Sequence, residues 1–298
     1  MVFKIFKKPK KILTEEEENA FEQNLVWICA MERSGTTWLG RELLSHGTHY
    51  IHEPNITAHL AMATTLPDGK VVRRFDLQKD VKSYFFSNEF QPIWTYFLRK
   101  LILNRFYTQL DDLSKKVIIK EAAVVDASDI ISRCLPNSRL IILFRDGRDV
   151  VDSGIDGREQ GGWMTQQLNT KSMDKNQRNR FLIMQSKRWV ILTENLLKTT
   201  KSHKKDLIHV VKYEDLRDDT LNELEKIYKF LEVEITKEEL ENLVTKFSYE
   251  NIPTEKKGKG KFVRFAAPGK WKQSFSEEEK KIMIETMSDT LKKLNYEI

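Results

Sequence analysis

The run Leu25-Val-Trp-Ile-Cys-Ala30 is apolar without a break, and a small-residue turn at Ser34-Gly35 follows it at once. A strand wetted on one face alternates in polarity. An unbroken run of this length fits a strand buried on both faces, as in parallel sheets covered by helices. Further runs of this kind stand at His49 to His52, Val117 to Lys120, Leu140 to Phe144 and Leu207 to Val211. Helical patterns lie between several of them, at Thr37 to Ser45 (stopped by Gly47), Asp126 to Leu135, Asp149 to Ile155 and Arg178 to Thr199. Strand alternating with helix predicts an α/β fold around a parallel sheet. Beyond Tyr213 the chain reads as helical. Thr14-Glu-Glu-Glu17, Thr220-Leu-Asn-Glu223, Thr236-Lys-Glu-Glu239 and Ser276-Glu-Glu-Glu279 each have the form of a capping box. Lys256 to Lys272, rich in lysine and glycine, reads as a long functional loop. With no repeat and no linker, the chain divides into a tail and short helix over 1–24 and one domain over 25–298.

A formal charge of +6 favours anionic ligands, a class that includes nucleotides, nucleic acids and membrane surfaces. Cys29 and Cys134 form neither a disulfide framework nor a metal cluster, so a reducing, cytoplasmic setting is expected, with no metal. No apolar stretch is long enough to predict a membrane span. Met1 to Lys11 is basic, with Phe3, Ile5 and Phe6, and lacks a signal-peptide core. It reads as a solvated tail ahead of a weak peripheral contact with anionic lipid.

Strand, turn and helix N-terminus together make an anion cradle at Ala30-Met-Glu-Arg-Ser-Gly-Thr-Thr37, because backbone N–H groups and the helix dipole converge there. Arg33 adds a cation, and Thr36 and Thr37 add hydroxyl donors. In the P-loop pattern G-x-x-x-x-G-K-[ST], Gly35 takes the second glycine position, but Thr36 replaces the lysine. The run Leu140 to Phe144 leads to Arg145 rather than to a magnesium-holding aspartate. A diphosphate-like group suits such a site better than a triphosphate. In Leu140-Ile-Ile-Leu-Phe-Arg-Asp-Gly-Arg-Asp-Val-Val-Asp-Ser153, Arg145 ends a buried strand where α/β ligands bind, and Ser153 lies in the helix that follows. Cation and hydroxyl together suit a phosphate monoester. Asp149 and Ser153 share one helix face.

Together these motifs resemble the PAPS-dependent sulfotransferase family, whose donor is 3′-phosphoadenosine 5′-phosphosulfate (PAPS). Glu32-Arg-Ser-Gly-Thr-Thr-Trp38 is similar to its 5′-phosphosulfate loop, with Arg33 where cytosolic members carry lysine. Arg145 to Ser153 resembles its 3′-phosphate motif, and Tyr213-Glu-Asp-Leu216 its Tyr-Glu-Asp-Leu segment. Arg264-Phe-Ala-Ala-Pro-Gly-Lys-Trp-Lys272 follows the cytosolic pattern R-K-G-x-x-G-D-W-K at Arg264, Gly269, Trp271 and Lys272, and departs at Phe265, Ala266 and Lys270. The resemblance implies one domain with a parallel sheet of about five strands in a P-loop-like fold, PAPS as donor, and no metal. It implies a cofactor site of Arg33, Ser34, Gly35, Thr36, Thr37, Trp38, Arg145, Ser153, Arg264 and Gly269.

Sulfuryl transfer needs in-line attack, a base, and positive charge on the leaving phosphate. Arg33 is the first expected source of that charge. Lys120, whose position resembles a lysine the family keeps after this strand, is the second. Tyr50-Ile-His-Glu-Pro-Asn55 offers Glu53 and His52 at a strand end. Glycan- and tyrosine-modifying branches use a glutamate in this region. Cytosolic members use a histidine after the next strand, where this chain has Lys120-Glu-Ala-Ala. Glu53 is therefore the expected base, with His52 second. Asn88 to Tyr107 reads as core packing ahead of acceptor contacts, and acceptor contacts are also expected from Gly157 to Thr170 with Trp163. The acceptor is expected to be a small molecule or glycan, bearing a hydroxyl ahead of an amine. Two other readings are a P-loop kinase or NTPase, and a non-catalytic polyanion-binding module using Lys256 to Lys272. That stretch lacks the interleaved aromatics of a nucleic-acid site, and no nucleic-acid partner is expected.

Overall fold

The structure, a computed structural model, describes residues 12–66, 70–263 and 267–298. The basic segment 1–11 and the expected ligand Arg264 lie outside the described residues. The main sheet is built from β1 (Leu25–Cys29), β2 (Thr48–His52), β5 (Lys116–Lys120), β6 (Arg139–Phe144) and β7 (Ile208–Lys212). A small antiparallel pair, β3 (Ala63–Thr65) and β4 (Val71–Arg73), stands apart. The main sheet has the order β2-β5-β1-β6-β7, and each neighbouring pair is parallel. This is the five-stranded parallel α/β architecture expected. All five runs are strands, and β1 and β6 are buried along their whole length, but β2 and β7, expected as buried strands, are the sheet's edges and stay largely half-buried.

Two packed layers sandwich the sheet because parallel strands present apolar side chains to both faces. On one side Trp27, Ile119 and Ile142 meet Phe106, Trp189 and Leu291. On the other Ile28, Ile118 and Ile141 meet Leu39, Leu216 and Ile227. The helix after β1 is widened to π form over Trp38–Leu43 and ends there, with Leu44 as its C-cap, short of the expected stop at Gly47, which is left-handed at φ 64° in the turn before β2. Among the described residues, no helix is long and apolar enough to cross a membrane.

Thr14, Thr236 and Ser276 make reciprocal capping boxes. Thr220 does not. Asp219 accepts from the Asn222 amide at 3.1 Å, and Thr220 is the first helical residue, its hydroxyl turned back to the Leu216 carbonyl. A carboxylate one residue earlier displaces the threonine as cap. The expected loop at Lys256 to Lys272 begins in a short 3-10 turn and is pinned by a bridge between Lys257 and Val263. It runs into a short helix at Trp271–Ser274.

Candidate active site

The turn after β1 departs sharply from ordinary backbone geometry. Arg33 and Gly35 both have positive φ, at 69° and 88°. At Gly35 two requirements coincide: the left-handed conformation, and a Tyr213 ring that a Cβ would meet at 2.7 Å. Thr36 and Thr37 are already helical, so the amides of the turn gather at a helix N-terminus. Ser34 and Thr36 are buried there.

Tyr213 opens the helix Tyr213–Asp218, and the Arg145 guanidinium lies over its ring at 4.3 Å. Arg145 also donates to the Arg33 carbonyl at 2.6 Å, while its Nε is buried and has no hydrogen-bond partner among the described residues. Arg33 Nε donates to Ser153 Oγ at 2.9 Å. The two motifs, far apart in sequence, are thus joined side chain to side chain. Glu214, next to Tyr213, accepts from the Asp146 amide and the Tyr296 hydroxyl, which fastens this corner. Burial raises the Glu214 carboxyl above its ordinary pKa.

Asp149 has a different task from Ser153. Its carboxylate accepts from the amides of Gly269 at 2.6 Å and Trp271 at 3.2 Å. Burial pushes its pKa up, with Arg145 opposing. The Gly269 N–H is therefore taken by Asp149, and Gly269 does not line the cavity.

At the end of β2, Glu53 is left-handed at φ 47°, and its amide donates to the Lys120 carbonyl at 2.8 Å. One carboxylate oxygen pairs with Lys120 Nζ, and the other accepts from the Ala122 amide at 2.8 Å. His52 turns elsewhere. It is exposed, stacks on Tyr50 with ring centroids 5.8 Å apart, and shares a hydrogen bond of 3.2 Å between its Nδ1 and the Tyr50 hydroxyl.

A single cavity of about 840 Å³ collects Arg33, Gly35, Thr36, Thr37, Trp38, Glu53, Lys120, Arg145 and Ser153. Trp163 and Met164 from the Gly157 to Thr170 stretch also line it. Asn88 to Tyr107 does not. Its Trp94 and Phe106 are core, which is the packing reading of that stretch.

Two groupings escaped the reading of the residues. Arg188, within the helix Lys175–Ser202, pairs with Glu32 and stands 3.4 Å from Asp126, and all three line the cavity. Burial lifts the Asp126 carboxyl to about 6, against the pull of Arg188. The Arg33 guanidinium is also clasped between Trp163 at 5.2 Å and Phe262 at 5.0 Å, and donates to the Phe262 carbonyl. Trp163 was legible as an aromatic in a glycine loop, but neither its partner nor Arg188 carried a local signal.

The arrangement gathers cations, hydroxyls and helix-end amides for an anionic ligand with two separate charged groups, beside a paired carboxylate able to take a proton. The family profile described as "Sulfotransferase domain" matches residues 23–295. Among solved structures, the chain is similar to retinol dehydratase in complex with androsterone and the inactive cofactor PAP, at 15% identity and TM-score 0.54. That match covers 93% of this chain and 82% of the other. It is also similar to a mouse sulfotransferase complexed with PAP, at 14% identity and TM-score 0.52, covering 94% and 93%. A third is the sulfotransferase domain of the Synechococcus PCC 7002 olefin synthase, at 17% identity and TM-score 0.51, covering 92% and 95%. No curated protein matches by sequence.

Proposed function

Because this chain belongs to the sulfotransferase family, we propose that it transfers a sulfuryl group from PAPS to a hydroxyl of a small-molecule or glycan acceptor, without a metal. The observation that carries the reading is the joined trio of Arg33, Ser153 and Arg145, which offers two anion subsites in one cavity. PAPS has that charge pattern: a 5′-phosphosulfate for the turn Arg33 to Thr37, and a 3′-phosphate for Arg145 and Ser153. The unpartnered Arg145 Nε is a donor that such a phosphate would satisfy. Trp38, which also lines the cavity, belongs to the nucleotide side. PAP in the neighbouring structures supports the donor, and androsterone in the retinol dehydratase complex supports a small acceptor.

In this reading Glu53 takes the acceptor proton as the oxygen attacks sulfur. Its two carboxylate oxygens keep free lone pairs after meeting Lys120 and the Ala122 amide. Sulfur parts from the bridging oxygen, and that electron pair stays on the 5′-phosphate of 3′,5′-ADP. Arg33 neutralises the charge left there, and Lys120 adds a second cation. Protein cations thus do what a metal does in a P-loop kinase. The domain is taken as 25–298, and its two buried thiols suit a reducing compartment such as the cytoplasm.

The test is release of 3′,5′-ADP from PAPS over a panel of phenols, steroid alcohols, sugars and amines in excess EDTA. Acceptor-dependent release that persists in EDTA is expected. Failure to bind or consume PAPS, or turnover of ATP that needs magnesium, overturns the proposal.

A further inference from the structure

The cavity wall that leads away from Glu53 carries polar groups that donor binding and proton transfer leave unused. The Ala122 amide holds the Glu53 carboxylate at 2.8 Å, and the chain runs on through Ala123 to Asp126, all of them lining the cavity. Asp126 is fully buried. One of its oxygens accepts from the Ala63 amide at 2.9 Å, and the other faces the Arg188 guanidinium at 3.4 Å. Arg188 in turn pairs with Glu32, in the turn after β1. Glu32 and Arg33 are neighbours in the chain, yet Arg33 reaches Ser153 on the donor side and Glu32 reaches Arg188.

The Glu32 carboxylate is only half satisfied. Its side chain is 33% exposed and lines the cavity, while its Oε2 is buried with no hydrogen-bond partner among the described residues. Buried polar atoms nearly always have partners, so this oxygen calls for a donor from a ligand. The chemistry of that ligand follows by elimination. Arg158 lies within electrostatic reach of Glu32 as well, so two guanidiniums stand against two carboxylates and no net charge is left to recognise an ion. An ammonium would meet Arg188, and a carboxylate or phosphate would meet Glu32 and Asp126. An apolar group would leave the Glu32 oxygen stranded. A hydroxyl donates to a carboxylate and accepts from a guanidinium at once. Met62, Ala122 and Ala123 give the cavity apolar wall beside these groups, which suits the C–H faces of a saturated ring.

We propose that Glu32 and Arg188 form the acceptor subsite and select an uncharged acceptor with a second hydroxyl besides the one that is sulfated, a sugar or cyclic polyol. The inference rests on the sulfotransferase reading and narrows the acceptor to that class.

The test measures kcat and KM by 3′,5′-ADP release from PAPS. The acceptors are the methyl glycosides of glucose, galactose and mannose and myo-inositol, set against cyclohexanol, phenol and tyramine, which carry one hydroxyl each. Binding of each polyol is also read by titration calorimetry, with and without 3′,5′-ADP. At least one polyol should exceed all three single-hydroxyl acceptors in kcat/KM by at least about a hundredfold, because a pocket built to bond a hydroxyl rejects analogues that lack it. Glu32→Gln keeps the side chain's shape, and Arg188→Lys keeps its charge. Each should raise the KM and Kd of that polyol by about tenfold or more, the worth of one charge-assisted contact, with kcat within a few-fold and the melting shift by 3′,5′-ADP retained. The proposal is overturned if no polyol binds, if a single-hydroxyl acceptor is preferred, or if both variants leave the polyol KM and Kd unmoved. Polyol binding that both variants weaken supports the subsite even where PAPS is not consumed, a result that overturns only the sulfotransferase reading.

Discussion

Arg145 offers the sharpest test of the two-subsite cavity, because the readout needs no acceptor. Its guanidinium is stacked on Tyr213, bonded to the Arg33 carbonyl, and left with a buried Nε lacking a partner. A 3′-phosphate that completes this set gains a charge-assisted contact, worth about 1.5–3 kcal/mol. Unfolding entropy near 2.1 cal/mol/K per residue makes each kcal/mol worth about 1.6 °C in a chain of 298 residues. At a hundred times its Kd, 3′,5′-ADP should stabilise by about 2.7 kcal/mol, or about 4 °C. ADP at the same concentration lacks the second contact and should raise Tm by only about 0.5–2 °C. Arg145→Ala lowers the ligand-free Tm by itself, so the shift rather than the absolute value is compared. In that variant both ligands should give the smaller shift. Scanning calorimetry at fixed ionic strength is the assay. Equal shifts in wild type, or a preference for 3′,5′-ADP that survives in Arg145→Ala, refute the reasoning.

Glu53→Gln should lower kcat by roughly two to four decades and keep the 3′,5′-ADP shift, while His52→Ala stays within a few-fold of wild type. It should also cost about 1–3 kcal/mol, because Lys120 loses its ion pair. Near-normal turnover in Glu53→Gln rules out the assignment. Gly35→Ala combines a positive φ with a Cβ 2.7 Å from a Tyr213 ring on which the Arg145 guanidinium also lies, so a loss of about 2–4 kcal/mol and of the nucleotide shift is expected. An alanine variant as stable as wild type would falsify that account. Asp126, lifted to about 6 by burial, contributes stability that is complete below its unfolded pKa near 4 and lost as pH rises through 6. Asp126→Asn should flatten the Tm profile between about pH 4 and 7, and an unchanged slope argues against a native-state titration there.

The strands, most of the caps and the glycine turn after β1 were legible in the sequence because each follows from neighbours along the chain. An unbroken apolar run needs two covering layers, a threonine with a glutamate three residues on closes its own cap, and Ser34-Gly35 marks the turn wherever it is read. Thr220 shows the limit of that logic: the pattern was present, but Asp219 stood one residue nearer the orphan amides. Only the tertiary structure decided which groups share the cavity. Arg33 reaches Ser153, Glu53 reaches Lys120 and the Ala122 amide, and Arg188 reaches Glu32, each across a wide sequence separation with no periodicity to reveal it. His52 and Glu53 are adjacent in sequence, but only the fold decided that Glu53, with its left-handed backbone, lines the cavity while His52 stays stacked on Tyr50. Gly269, expected on the nucleotide, has its amide held by Asp149, a partner that only the docking of the C-terminal loop brings within reach. The helix Gln91–Tyr107 carries apolar residues around its circumference, and only packing among the described residues decided that Trp94 and Phe106 are buried while Ile93, Phe97 and Leu101 are exposed.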